Sequence, residues 1–427
     1  MSSTPVAHLP IFGTEPTGAG RPAEAEPVPQ PLSLVGFECS LDTISLDALE
    51  AVVRSIPRTE LPRWFDRWTG IEEVALLTTC HRVEIFLLIR KTEDRERWQR
   101  TLPGTPGIWR IREGREVVRH LFRVAAGRES LAVGELEVGH QVRAAGNQVL
   151  SRHPRPVLRE LLDRAATAAE ELAAQDPPAH SIASIAVSRL RHLLDRPYPR
   201  VLVVGAGTVG RQVARCLSPN ARTTLVFHER PPSESFLRAV GADAVRMDRL
   251  FEAAAGADGI VTAAKFGNHG LRAHDLPRDH PLVLVDLGMP RNIDPAVREL
   301  PNIRLVDLEE LHALSKPRTD AVRPDPRIDQ LADRFSERLE RLLWEPYIDA
   351  LYRAAEATRR SEVKNALRFL GALDPGQEVA IERLTRRLVS RLLTPTTERI
   401  RSLPVGPAGD LQRRLAVELL RPAPADP

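Results

Sequence analysis

Apolar positions fall into three regimes along the chain, and each predicts a different kind of structure. Leu32, Leu34, Val35 and Phe37 read as a first strand, and Leu46, Leu49 and Val53 then recur at helical spacing. Val74 to Leu77 and Ile85 to Ile89 are apolar runs of strand length. The polar stretch Thr78-Thr79-Cys80-His81-Arg82-Val83-Glu84 between them reads as a turn. Helical periodicity resumes at Val117, Val118, Leu121 and Val124 and continues to about Ala174, where Pro177 and Pro178 mark a boundary.

The second regime opens with a helix (Ile182, Ile185, Leu190, Leu193) that leads to the fully apolar strand Val201-Leu202-Val203-Val204. A glycine-rich turn follows, then a helix with Val213, Ala214 and Leu217, then a strand from Thr224 to Phe227. Further strands are expected at Gly259 to Thr262 and Leu282 to Asp286. This alternation predicts a parallel, doubly wound sheet. The third regime is nearly all helix. Ile328, Leu331, Phe335, Leu339, Leu342 and Leu343 form one apolar stripe, and Ile381, Leu384, Leu388 and Leu392 a second. Such stripes need cover, which predicts dimerisation; helices folding back on their own chain are the competing expectation. Residues 1–32 carry Pro22, Pro27, Pro29 and Pro31 with no apolar period, and are expected to form a disordered tail.

Composition narrows the setting. The 427 residues suffice for two to four domains of about 100–200 residues each. No apolar run approaches the roughly 18 residues that span a bilayer, and no charged segment followed by an apolar one opens the chain. Cys39, Cys80 and Cys216 are far apart and lack metal-ligand spacing. A reduced, cytoplasmic protein with no metal and no membrane span is expected. Lysine occurs only at Lys91, Lys265, Lys316 and Lys364, so the basic side chains are almost all arginine, in a chain of net charge +3. Arginine suits RNA phosphates. Codon bias in a GC-rich genome accounts for the same excess more simply, so charge alone does not point to nucleic acid.

Two constellations carry chemistry. Gly205-x-Gly207-x-x-Gly210 follows an apolar strand and opens a helix, as dinucleotide binding requires: a tight turn, close approach to the pyrophosphate, and close helix–strand packing. The end of the next strand reads His228-Glu229-Arg230. Glu229 suits the ribose hydroxyl of NAD and Arg230 the 2′-phosphate of NADP, so the choice stays open. Cys80, in a polar turn between buried strands, is suited to act as a nucleophile, with Arg82 expected to lower its pKa. Free cysteine is more often a small buried hydrophobe, and that reading is kept for Cys39 and Cys216.

Thr79-Cys80-His81-Arg82-x-Glu84 resembles the TCNRxE signature of the glutamyl-tRNA reductase family, in which the cysteine is the nucleophile. His120-Leu121-Phe122-Arg123-Val124 resembles the family's HLFRV segment. Ser130-Leu131-x-x-Gly134-Glu135, with Gln141-Val142, resembles SLxxGExQIxxQV. Val201 to Gly210 is similar to VLVIGAGxMG, and Val285 to Pro295 to IDLAxPRDIDP. Leu388 to Thr397, ending Thr394-Pro395-Thr396-Thr397, resembles the C-terminal helix and its PT turn. The likeness runs in order from about Leu34 to about Leu403 and overturns the bland reading of Cys80.

The resemblance implies an α/β multidomain chain. An α+β catalytic, glutamyl-tRNA-binding domain is expected over 33–178, a Rossmann-type NADP domain over 179–322, and an all-helical spacer and dimerisation domain over 323–427. It places glutamate binding on Thr79, Cys80, His81, Arg82, Ser130, Glu135, Leu136, Glu137 and Gln141, with His120 assisting. It places the cofactor on Gly205, Ala206, Gly207, Thr208, Val209 and Gly210, with NADPH favoured through Arg230. Implied partners are glutamyl-tRNA(Glu), a second copy of the chain, and glutamate-1-semialdehyde aminomutase. The implied reaction is NADPH-dependent reduction of glutamyl-tRNA through a Cys80 thioester to glutamate-1-semialdehyde, the entry to tetrapyrroles. His120 is expected to protonate the departing tRNA 3′-oxygen, His81 to shape the turn, and Arg82 to bind the glutamate carboxylate. His81, Leu136-Glu137 and Glu38-Cys39 depart from the family's Asn, Pro-Gln and Asn-His. The alternative is therefore a non-catalytic tRNA- or partner-binding relative. A small-molecule dehydrogenase sharing only the nucleotide unit leaves the Cys80 and Ser130 segments unexplained.

Overall fold

The structure, a computed structural model, describes residues 32–403 apart from 57, 58, 60, 91–101, 105, 106, 155, 176–179, 265–269, 278, 279, 316–324 and 372, together with 409, 411–413, 415 and 416. The expected tail, except Leu32, and the boundary prolines Pro177 and Pro178 lie outside the described residues.

Five antiparallel strands form the first sheet, in the order β4-β1-β3-β2-β5: β1 (Ser33–Ser40), β2 (Ile71–Thr78), β3 (Arg82–Ile89), β4 (Arg110–Glu113) and β5 (Leu150–Ser151). Both faces are covered. Val35, Phe37, Val83, Ile85 and Leu87 pack in one cluster with residues of α1 (Leu46–Ser55) and α2 (Leu61–Arg67). Leu34, Phe86 and Leu88 pack in another with α3 (Arg115–Ala125), α4 (Leu136–Gly146) and α5 (Val157–Gln175). Double cover explains why β3 is buried at every position and why its sequence runs apolar where a one-faced strand would alternate. It also obliges the charged residues of β3, Arg82 and Glu84, to find partners inside.

The turn before β3 is tighter than its sequence suggests. Thr79 N–H donates to Arg82 O at 3.0 Å, so Arg82, Val83 and Glu84 already belong to the strand and only Thr79, Cys80 and His81 bridge.

Six parallel strands form the second sheet, in the order β11-β10-β9-β6-β7-β8: β6 (Arg200–Val204), β7 (Arg222–Phe227), β8 (Ala242–Arg246), β9 (Gly259–Thr262), β10 (Leu282–Asp286) and β11 (Ile303–Val306). Helices α6 (Ile182–Leu194), α7 (Thr208–Leu217), α8 (Glu234–Val240), α9 (Leu250–Ala254) and α10 (Leu308–Ser315) accompany it. Strands β8 and β11 were not expected, because both are short edge strands and β8 is nowhere fully buried. The winding reverses between β6 and β9, the point where open α/β sheets bind ligands. One continuous apolar cluster links the two sheets, from Phe37 and Leu49 through Leu131 and Ile182 to Val203 and Leu308. Beside it, the Arg291 guanidinium, following β10, pairs with Glu50 and Asp47 of α1.

Compact units divide inside α11 (Pro326–Leu370): Gln30–Pro346 belongs with the two sheets, and Tyr347–Ser402 forms a unit with α12 (Pro375–Ser402). The cause is the first stripe. Ile328, Phe335, Leu339 and Leu343 bury in one cluster with Leu121, Phe122 and Leu162, and Asp325, Asp329 and Asp333 pair with Arg128, Arg123 and Arg119. That stripe folds back on its own chain. The second does not: Leu384, Leu388 and Leu392 are 60, 52 and 71% exposed, and Ile381 is half-buried. Helix α12 runs straight through Pro395, so the expected turn there is absent. No helix among the described residues is long and apolar enough to cross a membrane.

Candidate active site

Strand register sets the electrostatics of the site. Glu38 of β1 lies directly opposite Glu84 of β3, and both are buried. Two carboxylates so placed repel unless cations join them. Three do. Arg82 Nη1 lies 3.0 Å from Glu84, 3.4 Å from Glu129 and 3.7 Å from Glu38. Arg112 pairs with Glu38. His120, carried in by the buried face of α3, places Nε2 at 2.9 Å from Glu84 and Nδ1 at 3.1 Å from Glu129. Burial alone would lower the His120 pKa; the two carboxylates overcome it and lift the ring to about 9. Burial likewise works to raise Glu84, but His120 and Arg82 hold it at about 2. Donor atoms of Glu38, Glu84 and His120 lie within 4.8 Å of one another, a spacing that suits a cation, and the Arg82 guanidinium already supplies positive charge there.

These partners correct three expectations. Arg82 is 1% exposed and donates to Glu84, to Glu129, to the Glu129 carbonyl and to His81 Nε2, so it has no fork free for a substrate carboxylate. Nor does it make Cys80 a thiolate. Burial, then the Glu135 charge, pushes the half-buried thiol up to about 12, and the Arg82 effect is smaller. His120 is 5% exposed and commits Nε2 to Glu84, while Nδ1 lies 3.1 Å from Glu129 without a well-formed hydrogen bond, so the ring faces carboxylates rather than open solvent.

His81 is built into the turn. Its N–H donates to Thr79 Oγ1 at 3.3 Å, its Nε2 lies 3.1 Å from Arg82 Nη2, and its carbonyl accepts from Leu41 N–H at 3.0 Å. Burial and the neighbouring Arg82 lower its pKa to about 3, so the ring is neutral near pH 7. Glu135 ends the loop that follows α3. Gly127 closes that loop at φ +66°, where an added Cβ would come within 2.5 Å of Glu135 N. Ser130 sits half-buried in the same loop. Glu135 Oε1 accepts from Ile182 N–H at 3.3 Å, and burial, with the Glu137 charge, lifts this carboxyl to about 7. Leu136 (38% exposed), Glu137 and Gln141 follow on α4, and the Gln141 Oε1 is buried without a hydrogen-bond partner. The turn and this loop therefore meet: Glu129 grips Arg82, and Glu135 and Glu137 act on Cys80. Cys39, in β1, is fully buried among apolar residues, and Cys216 lies half-buried on α7.

The glycine loop fits a dinucleotide. Gly205 has φ +116°, and a Cβ there would meet Ala263 O at 2.6 Å; a Cβ on Gly210 would meet Gly205 O at 1.8 Å. Gly207 faces open space and caps α7 with no side chain, leaving the first N–H groups of the helix for phosphate. Thr208 is exposed, while Ala206, Val209, Met289 and Cys80 all border the shared apolar cluster. Arg230 is exposed beyond the end of β7, beside an equally exposed Glu229. Glu129, Asp42 and His312 were not singled out in the sequence, and no local motif marks them.

A doubly wound nucleotide-binding sheet, docked on a domain that holds a thiol among buried carboxylates, defines an oxidoreductase of the nicotinamide-dependent class. Comparison with known proteins makes this specific. Residues 38–175 match the model of the glutamyl-tRNA(Glu) reductase N-terminal domain, 184–314 that of shikimate/quinate 5-dehydrogenase, and 327–421 that of the glutamyl-tRNA(Glu) reductase dimerisation domain. The glutamyl-tRNA reductase of Syntrophotalea carbinolica is 31% identical over 379 residues, covering 82% of this chain and 83% of its own. That of Methanopyrus kandleri is 28% identical, covering 83% and 90%. A solved structure of the Methanopyrus kandleri enzyme aligns over 91% of this chain and 98% of its own, with 24% identity and a TM-score of 0.49. The chain belongs to the glutamyl-tRNA reductase family.

Proposed function

We propose that this protein reduces glutamyl-tRNA(Glu) to glutamate-1-semialdehyde through a thioester on Cys80. The observation that carries the reading is the place of Cys80 on the three-residue turn between β2 and β3, bordering the apolar cluster that also takes in Ala206 and Val209 of the glycine loop. The charge of Glu135, a buried carboxyl with its pKa raised to about 7, acts on this thiol. A thiol raised to about 12 needs a base, and Glu135 suits that role. Glu135 takes the Cys80 proton as sulfur attacks the glutamyl carbonyl. The bond to the tRNA 3′-oxygen breaks, and the same proton passes to that oxygen. The thioester carbonyl then accepts hydride more readily than the original ester. Gly205 to Gly210 would hold the reduced nicotinamide cofactor, which would supply that hydride. The alkoxide left on the Cys80 adduct collapses to aldehyde and the Cys80 thiolate, which takes a proton from solvent to regain the thiol. His120 works from behind, through the carboxylates that hold Arg82 and hence the turn. The orphan Gln141 Oε1 supports a place for a substrate N–H donor.

NADPH is the cofactor we assign, on Arg230 and the family. The helical region supports a homodimer, and the reactivity of the aldehyde supports hand-over to glutamate-1-semialdehyde aminomutase. Incubation with glutamyl-tRNA and NADPH tests the whole. Wild type should form aldehyde, and Cys80→Ser should form none while still binding tRNA. Aldehyde formation by Cys80→Ser would refute the thioester, and an inert wild type would favour the non-catalytic relative.

A further inference from the structure

Behind the turn that carries Cys80 stands a histidine from a helix that packs with the second sheet. His312, on α10, is 9% exposed, its Nε2 lies 3.2 Å from Asp42 Oδ1, and its ring stacks on His81 at 5.9 Å between centroids and 28° between planes. Asp42 follows β1 within two residues, next to Leu41, whose N–H holds the His81 carbonyl. The residue after Cys80 is thus gripped by its backbone through Leu41 and by its ring through His312. Neither grip is available from local sequence: His312 lies in a helix anchored by Leu308 and Leu311 in the apolar cluster that joins the two sheets. Arg189 and Arg304 also hold that helix, through Glu310, and the Arg291 pair with Glu50 joins the sheets beside the same cluster.

We propose that His312 is a positioning residue: seated by Asp42, it braces His81 and so fixes the Cys80 turn when the nucleotide-binding sheet is docked on the catalytic sheet. Docking of the unit that carries the cofactor and shaping of the nucleophile then become one event. The proposal rests on Cys80 being the nucleophile, but it also makes a claim on the protein without substrate. Misplacing a reacting atom by about 1 Å can cost up to roughly 10²-fold in rate.

The test uses the full-length protein and His312→Ala, His312→Phe and Asp42→Asn. Two readouts are taken: the iodoacetamide alkylation rate of Cys80, located by peptide mapping, and kcat and KM for glutamyl-tRNA. Loss of the ring should free the turn, so His312→Ala should alkylate several-fold faster. Its kcat should fall by about 10- to 100-fold, with KM nearly unchanged. His312→Phe keeps a stacked ring and should recover most of both properties, and Asp42→Asn should fall between. Unchanged alkylation in His312→Ala, or His312→Phe as impaired as His312→Ala, overturns the proposal. Should His312→Ala fail to fold, the Phe and Asn variants decide on the same two readouts. A wild type that makes no aldehyde sinks the reading of Cys80, while the alkylation comparison still judges the brace.

Discussion

His120→Asn is the most informative single change, because, of the cations Arg82, Arg112 and His120 in this buried network, His120 is the one whose charge is lost within the working pH range, as pH rises through about 9. The ring is lifted from 6.5 to about 9 by Glu84 and Glu129 against the opposing effect of burial. A histidine raised in this way contributes its stability fully below about pH 6.5 and loses it as pH rises through about 9. The whole shift corresponds to about 3 kcal/mol, and the part lost between about pH 7.5 and 9.5 to roughly 2 kcal/mol, at about 1.4 kcal/mol per unit. The buried Cys39 and Cys80 thiols, held near 12, also lose stability once their unfolded counterparts ionise near 9, but they do so in both proteins and cancel from the comparison. In His120→Asn, Glu84 and Glu129 stay close to Glu38 with one cation fewer, which costs on the order of 3–5 kcal/mol at neutral pH. Urea unfolding of both proteins at several pH values measures this. Wild type should weaken relative to His120→Asn across the window, so that the gap narrows as pH rises. Parallel stability curves would show that His120 is not held charged, and the account of the network would fail with it.

Glu135→Gln should separate reactivity from turnover. Loss of its charge makes the Cys80 thiol easier to ionise and so faster to alkylate at pH 8, while loss of the base should lower kcat by about 10²- to 10⁴-fold; slower alkylation would contradict the assignment. Wild type should prefer NADPH to NADH in kcat/KM, and Arg230→Glu should shift that preference toward NADH. A ratio unmoved by the substitution would place the selecting group elsewhere. Leu388→Arg, in the middle of the exposed stripe of α12, should yield monomer by light scattering at micromolar concentration, since a charge buried unpaired in an interface costs several kcal/mol; an unaffected dimer would move the interface off this stripe.

How much of this was legible in the sequence follows from the range of each interaction. The glycine turn, the strands around it and the two apolar stripes are local patterns, set by φ preferences and by helical or strand periodicity. The motif around Cys80 marked the turn that carries the proposed nucleophile. Periodicity could not say which stripe is covered: Ile328 to Leu343 buries on α3 and α5 of its own chain, whereas Leu384 to Leu392 stays open. Nor could adjacency along the chain predict electrostatics. Arg82 sits two residues from Cys80, yet its guanidinium turns to Glu84 and Glu129, and the thiol answers to burial and to Glu135, fifty-five positions on. His120 looked like a free acid because its motif is short; only the register that sets Glu38 against Glu84 explains why a cation must stand there. His312 and Asp42 carry no motif at all. Local sequence determined which segments form strands, helices and turns, because those choices are made within a few residues. Protonation, pairing and cover depend on charges and surfaces brought together from dozens to hundreds of residues apart, and only the folded chain decided them.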